Sequence, residues 1–268
     1  VLLNVCTIAN VVWWFASAPA SLDSLDAKSA AYVTTQWRLA GVYALVCAFR
    51  AAWPRIDAER WAMFDTPLSA IVLGRAAATV AEVCFGAQCG LAMLRLLEHA
   101  ESTAPVHVIA FVASVAEATP YLTAIAQLFC WHSVLTTNNL GHAIEEFIWG
   151  ATYAALLACL TLLYTWLPAR FALPMQCAMA ATLVYVAFMF VVDVPMYVRR
   201  WRAHVAGSKR DLTLFEGLVD CTTRRVHTTS FETWGPEMPW LTGYFVGAVA
   251  LSIQFMHVPA ATIPATIA

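Results

Sequence analysis

The chain has 268 residues, of which 61% are hydrophobic and only 12% charged, with a formal net charge of -2. A soluble domain carries roughly 25% charged residues, so this composition excludes an ordinary water-soluble globule and points to a bilayer as solvent. The near-neutral balance gives no footprint for nucleic acid, which is excluded as a partner.

Taken in order, residues 1–18 read as a first membrane span. It ends in the small residues Ala16-Ser17-Ala18-Pro19-Ala20, which resemble a signal-cleavage site, but a short membrane helix is the reading adopted. A polar loop from Ser21 to Lys28 leads to a second span over about 32–53, which carries Arg38. Pro54 to Thr66 is a charged connector holding Arg55, Asp57, Arg60 and Asp65.

The third span, about 67–97, contains Arg75, Glu82, Gln88 and Arg95. A lipid-facing helix would not tolerate that load, so this helix is expected at the bundle centre. Gly74-x-x-x-Ala78 and Gly86-x-x-x-Gly90 offer it close-packing surfaces. The fourth span, about 106–134, carries Glu117 and a kink expected at Pro120. Thr136-Thr137-Asn138-Asn139 forms a tight turn with Asn139 as the expected helix N-cap. The fifth span follows over about 140–166, and the sixth, about 171–198, has Asp193 near its end.

Residues 199–234 are the one long polar connector, in which Leu212, Phe215, Leu218 and Val219 recur at helical spacing and mark an interfacial amphipathic helix. The last span is about 238–257. The fold class expected is therefore all-α: one polytopic membrane bundle over residues 1–268, with seven spans. The connectors after spans two, four and six are rich in arginine, which puts them on the cytoplasmic side or its organellar equivalent. Tryptophans 53, 61, 131, 166, 201, 234 and 240 fall near span ends, as an interfacial belt would.

Ionisable residues inside a membrane are costly and mark function by default. On this topology Arg75, His132, His142, Glu145, Glu146 and Asp193 converge near the positive face, while Glu82 and Glu117 lie deeper as supporting polar groups. Arg75 and Glu82, about two turns apart, are expected to find partners on other spans, with Arg75 pairing to Glu145, Glu146 or Asp193. His142, Glu145 and Glu146 stand at i, i+3 and i+4, on one helix face. They suit acid/base catalysis, with a glutamate as the acid or base, His142 its partner and Arg75 an electrostatic stabiliser. They also suit a divalent metal, with His132, His142, Glu145 and Glu146 as ligands. The spacing matches neither the di-iron bundle motif nor the zinc-protease motif. A haem pair of His132 or His142 with His257 is disfavoured, because the topology sends His257 to the opposite face.

The eight cysteines show no paired spacing and read as buried hydrophobes. Phosphate-binding and nucleophile-elbow motifs are absent, and neither lysine, Lys28 or Lys209, lies in a span, which argues against nucleotide hydrolysis and retinal photochemistry. Three functions fit: an enzyme acting on a lipid-soluble molecule such as an isoprenoid, sterol, polyene or acyl lipid; an ion- or proton-coupled transporter or channel using Glu82, Glu117 and Asp193 as a relay; and a non-catalytic subunit beside other membrane proteins. Membrane lipids are the partners in every case.

Overall fold

The computed structural model describes residues 2–19, 25–208 and 210–259; the Ser21–Ser24 part of the first loop, Lys209 and the tail from Ala260 lie outside the described residues. The described chain is almost wholly helical: α1 (Leu2–Ala16), α2 (Ala27–Ala52), α3 (Ile71–Ala100), α4 (Val106–Thr136), α5 (Leu140–Tyr164), α6 (Ala169–Ala206), α7 (Leu214–Thr223) and α8 (Phe231–His257). Five of these, α3, α4, α5, α6 and α8, are long and apolar enough to cross a membrane, which makes the chain a multi-pass membrane protein by length and composition.

Helices α1 to α6 pack in chain order, each against the next, and α8 returns to lie against α1, α2 and α3. That path leaves α3 at the centre. Its apolar stretch is 61% buried, against 6% for the outermost helix α6. The polar load on α3 is thus placed where other helices can meet it, as expected. Gly86 and Gly90 face α4, at Thr123 and at the carbonyl of Ala116. Pro120 supplies no N–H to that carbonyl. A side chain at position 90 would drive its Cβ to 2.5 Å from the Ala116 oxygen, so only glycine allows this approach. Gly74 packs instead on the side chain of Arg55.

Several boundaries move. The polar connector is shorter than 199–234, because α6 runs on through the basic residues to Ala206 and α8 starts at Phe231. Pro195 lies just beyond a π-helical turn in α6, Met189–Asp193. A proline there has no N–H for the carbonyl four residues back, and the widened turn absorbs the loss. The helix expected in the connector is α7, which exposes Leu214, Phe215, Leu218 and Val219; Leu212 falls just outside it.

One end of the bundle is closed by its connectors. Strands β1 (Arg55–Ile56) and β2 (Trp61–Ala62) pair antiparallel, Arg55 opposite Ala62, and β3 (Val226–His227) joins β2 in parallel. This small sheet, with no signature in the hydropathy, ties the α2–α3 connector to the α7–α8 connector. Arg60, fully buried, fastens the cover. Its guanidinium donates to the Asp57 carbonyl at 2.6 Å and the Val134 carbonyl at 2.7 Å, and pairs with Asp220 at 2.8 Å.

Candidate functional site

Beneath that cover the tight α4–α5 turn sets the geometry. Thr137 takes the left-handed conformation, φ 58°, and the Ser133 hydroxyl donates to the Asn138 carbonyl at 2.6 Å. The capping side chain is Asn138, not Asn139: its Oδ1 accepts from the Leu140 N–H at 3.0 Å. Gly141 then lets the start of α5 lie directly on α4, since a Cβ there would come within 2.5 Å of the Phe129 carbonyl. This close approach brings the next turn of α5 to Cys130.

His142 and Glu145 are both buried, and His142 Nδ1 lies 2.8 Å from Glu145 Oε2. Cys130 Sγ is 4.0 Å from the same Nδ1. Because thiol and carboxylate address one nitrogen, the three do not form a relay in which the imidazole passes a proton from one to the other. They form a convergent group: one donor atom from each lies within 4.8 Å of the others. The imidazole face rests on the Tyr197 ring, centroids 4.9 Å apart, and the Arg200 guanidinium lies 5.6 Å from the centre of that same ring. Asp193, Tyr197 and Arg200 follow one another at i, i+4 and i+7 on α6, so a single face of that helix lines the group. Glu146, half-buried, lies beside Glu145 and Asp193.

Arg75 forms the second half of the site. Contrary to the expectation that it and Glu82 need partners on other spans, Arg75 Nη2 and Glu82 Oε2 pair directly at 2.7 Å. Seven residues separate the Cα atoms by about 10.5 Å of helix rise, and two long side chains that curl toward each other span it. Other helices complete the pair: Gln127 of α4 accepts from Arg75 Nη2 at 2.8 Å, and the Tyr244 hydroxyl of α8 donates to Glu82 Oε1 at 2.8 Å. Thr79 donates to Gln127 and accepts from the Trp131 indole at 3.0 Å. Asp57 of the connector lies 4.0 Å from both Arg75 and Arg50. Arg75 also lies within the electrostatic reach of Cys130 and Glu145, which joins the two halves.

Two expected members do not arrive. His132 is exposed on the outer face of α4, two residues from Cys130 and so about 200° round the helix. It takes no part in the convergent group; Cys130 stands in its place. Glu117 is likewise exposed, so Glu82, Glu117 and Asp193 are not assembled into one path. Residues the sequence reading passed over are Cys130, Gln127, Tyr197, Tyr244 and Asp57. For the first two a signal existed, since Gln127 and Cys130 are at i, i+3 on the face of α4 that carries Ala126 and Val134 inward. Tyr244 and Asp57 had none.

Among the described residues Asp57 Oδ1, Arg75 Nε, Arg50 Nε and Gln127 Nε2 are buried without a hydrogen-bond partner. Such atoms are costly in a closed core and frequent where a site is built to meet a ligand. Asp57, Glu82 and Glu145 are buried together with Arg50, Arg55 and Arg75, and the half-buried carboxylates of Glu146 and Asp193 adjoin Glu145. Those two additional carboxylates, partly withdrawn from water, must be met by water, protons or a cation.

No protein-family model, curated protein or solved structure matches this chain significantly.

Proposed function

We propose that the protein is a membrane-embedded enzyme of seven spans that acts on a lipid-soluble substrate by acid/base chemistry at His142 and Glu145. The observation that carries the reading is the buried His142–Glu145 pair, 2.8 Å apart and beside Arg75 under a cover of connectors. An imidazole hydrogen-bonded to a carboxylate exchanges a proton readily, and a neighbouring guanidinium stabilises negative charge that develops on a substrate. Glu146 and Asp193 supply further proton-accepting groups at the same depth. A substrate dissolved in the bilayer could enter laterally, as suits a site inside a bundle whose outer faces are apolar. Exposure of Glu117 on the outer surface favours this reading over a proton relay through the membrane.

Seven crossings are supported by α1 and α2. Helix α2 has 26 residues, about 39 Å at 1.5 Å per residue. Trp14 and Trp37 hold α1 against it through reciprocal indole-to-carbonyl hydrogen bonds of 2.8 and 3.2 Å. Helix α1 turns Leu2, Val5, Ile8, Val12 and Phe15 outward, a surface suited to lipid.

The test is untargeted lipid mass spectrometry on membranes containing the wild-type protein or Glu145→Gln at equal abundance. At least one lipid species should be consumed or formed with wild type and unchanged with the variant. Identical lipid profiles in the two membranes would remove the enzymatic reading.

A further inference from the structure

The convergent group on α4 and α5 combines three donor chemistries, a sulfur, an imidazole nitrogen and a carboxylate oxygen, each from a buried residue. We propose that Cys130, His142 and Glu145 bind a divalent transition metal ion of the zinc type. The inference rests on the reading of this site as catalytic for the site's purpose, though not for the binding itself, and it gives His142 and Glu145 the role of ligands in place of acid and base.

Donor identity argues first. Thiolate and imidazole select zinc, cobalt or iron over magnesium and calcium, which prefer oxygen ligands. Geometry argues second. Bonds of roughly 2.3 Å to sulfur and 2.0–2.1 Å to nitrogen and oxygen place tetrahedral donors about 3.3–3.6 Å from one another. Here the nitrogen–oxygen separation is 2.8 Å and the sulfur–nitrogen separation 4.0 Å. Shifts of about half an ångström in these two separations, with closure of the sulfur–oxygen separation, at most 4.8 Å, convert one arrangement into the other through side-chain torsions.

Charge argues third. Binding requires the Cys130 thiol to lose its proton and His142 Nδ1 to carry none, the one ring proton sitting on Nε2, and the displaced protons leave to solvent. The Arg75 guanidinium, which would repel a dication, is already engaged by Glu82 at 2.7 Å. Glu146 and Asp193 remain as unligated carboxylates beside the site and offset the ion's charge. Three protein ligands leave one tetrahedral position open, the arrangement of catalytic rather than structural zinc. With the metal polarising the substrate's polar group, proton transfer then falls to Glu146 or Asp193.

The test is cobalt titration of chelator-stripped, detergent-purified protein, followed by absorption spectroscopy. One equivalent of Co²⁺ should produce a thiolate-to-cobalt charge-transfer band and the intense visible bands of tetrahedral cobalt, and zinc should abolish both. The charge-transfer band should vanish in Cys130→Ser, and the visible bands should weaken in His142→Ala. His132→Ala should leave both unchanged. Helical circular dichroism and elution volume verify that each variant is folded. Absence of these bands in the wild type, or survival of the charge-transfer band in Cys130→Ser, overturns the proposal. A metal-free protein that still alters membrane lipids, with Glu145→Gln inactive, would sink the metal site and leave the acid/base reading standing.

Discussion

The two ends of α3 each bury an arginine, and the bundle treats them differently. Near the C-terminal end Arg95 donates to Glu98 and to the Ser29 hydroxyl, both at 2.7 Å, and stacks on Tyr32, 5.0 Å from the ring centre. Glu98 in turn pairs at 2.9 Å with Lys28, whose side chain is 75% exposed. Asp26 takes the Ser29 hydroxyl at 2.6 Å, so two cations face two carboxylates, and the cluster opens to the surface through Lys28. Near the N-terminal end Arg75 meets Glu82 at 2.7 Å and Asp57 at 4.0 Å, lies under closed connectors, and has the Cys130 thiol and the Glu145 carboxylate within electrostatic reach. The first cluster ties α2 to α3. An unpartnered guanidinium Nε is common to both ends, at Arg75 and Arg95, but only the second has the mixture of sulfur, nitrogen and oxygen donors that a structural ion pair does not need.

Removing each arginine should separate the two roles. Arg75→Met leaves Glu82 buried opposite an apolar chain, and unfolding in detergent should show a loss of about 3–5 kcal/mol. Adding Glu82→Gln should restore part of it. A loss below about 1 kcal/mol would show that the pair is solvated and the contrast overstated.

A smaller effect is expected from Tyr244→Phe, which deletes one hydrogen bond to the Glu82 carboxylate. Denaturant unfolding should register about 1.5–3 kcal/mol. If the loss instead matches that of a surface hydroxyl, α8 is not part of the Arg75 network.

Arg95→Met should cost about 1 kcal/mol or less, because Glu98 keeps Lys28 and stays partly in water. The same unfolding assay compares it directly with Arg75→Met. Equal losses from the two would erase the distinction between the ends of α3.

The smallest effect lies outside both clusters and calibrates them, being an exposed ionic contact with no function attached. Glu216 caps α7 by accepting from the Thr213 N–H at 2.9 Å and from Arg210 at 2.7 and 2.9 Å. The Thr213 backbone bond and then Arg210 hold its carboxyl below the ordinary glutamate value. A depressed carboxyl contributes its stabilisation fully above its unfolded-state pKa and loses it as pH falls through the folded-state value. Hydrogen exchange of α7, corrected for intrinsic rates, should therefore quicken under acid in wild type and show no such pH step in Glu216→Gln. A pH step that persists in the variant would assign it to another group.

Much of the helical layout was legible because apolar runs and their polar breaks are one-dimensional signals. The hydropathy alone located the five long apolar helices, and the charges on α3 marked it as central, because only a helix surrounded by others can carry them. His142 and Glu145 were also legible as a pair, since i, i+3 spacing on a helix sets their proximity wherever the helix is placed. The Arg75–Glu82 contact was misjudged for an equally physical reason. Rise along the axis gives the backbone separation, whereas the contact depends on side-chain reach and on Gln127 and Tyr244 holding both ends.

What the sequence determined by itself is thus the kind of solvent this chain requires, its helices, and the contacts set by helical periodicity. Which residues meet across helices was decided only by tertiary structure. Rotation about the α4 axis turns Cys130 inward and His132 outward, and hydropathy does not encode that angle. The β2–β3 pairing and the bond from Tyr244 to Glu82 join segments more than 150 residues apart. Their partners become neighbours only when the bundle closes, so the candidate site under the connectors exists as a consequence of packing.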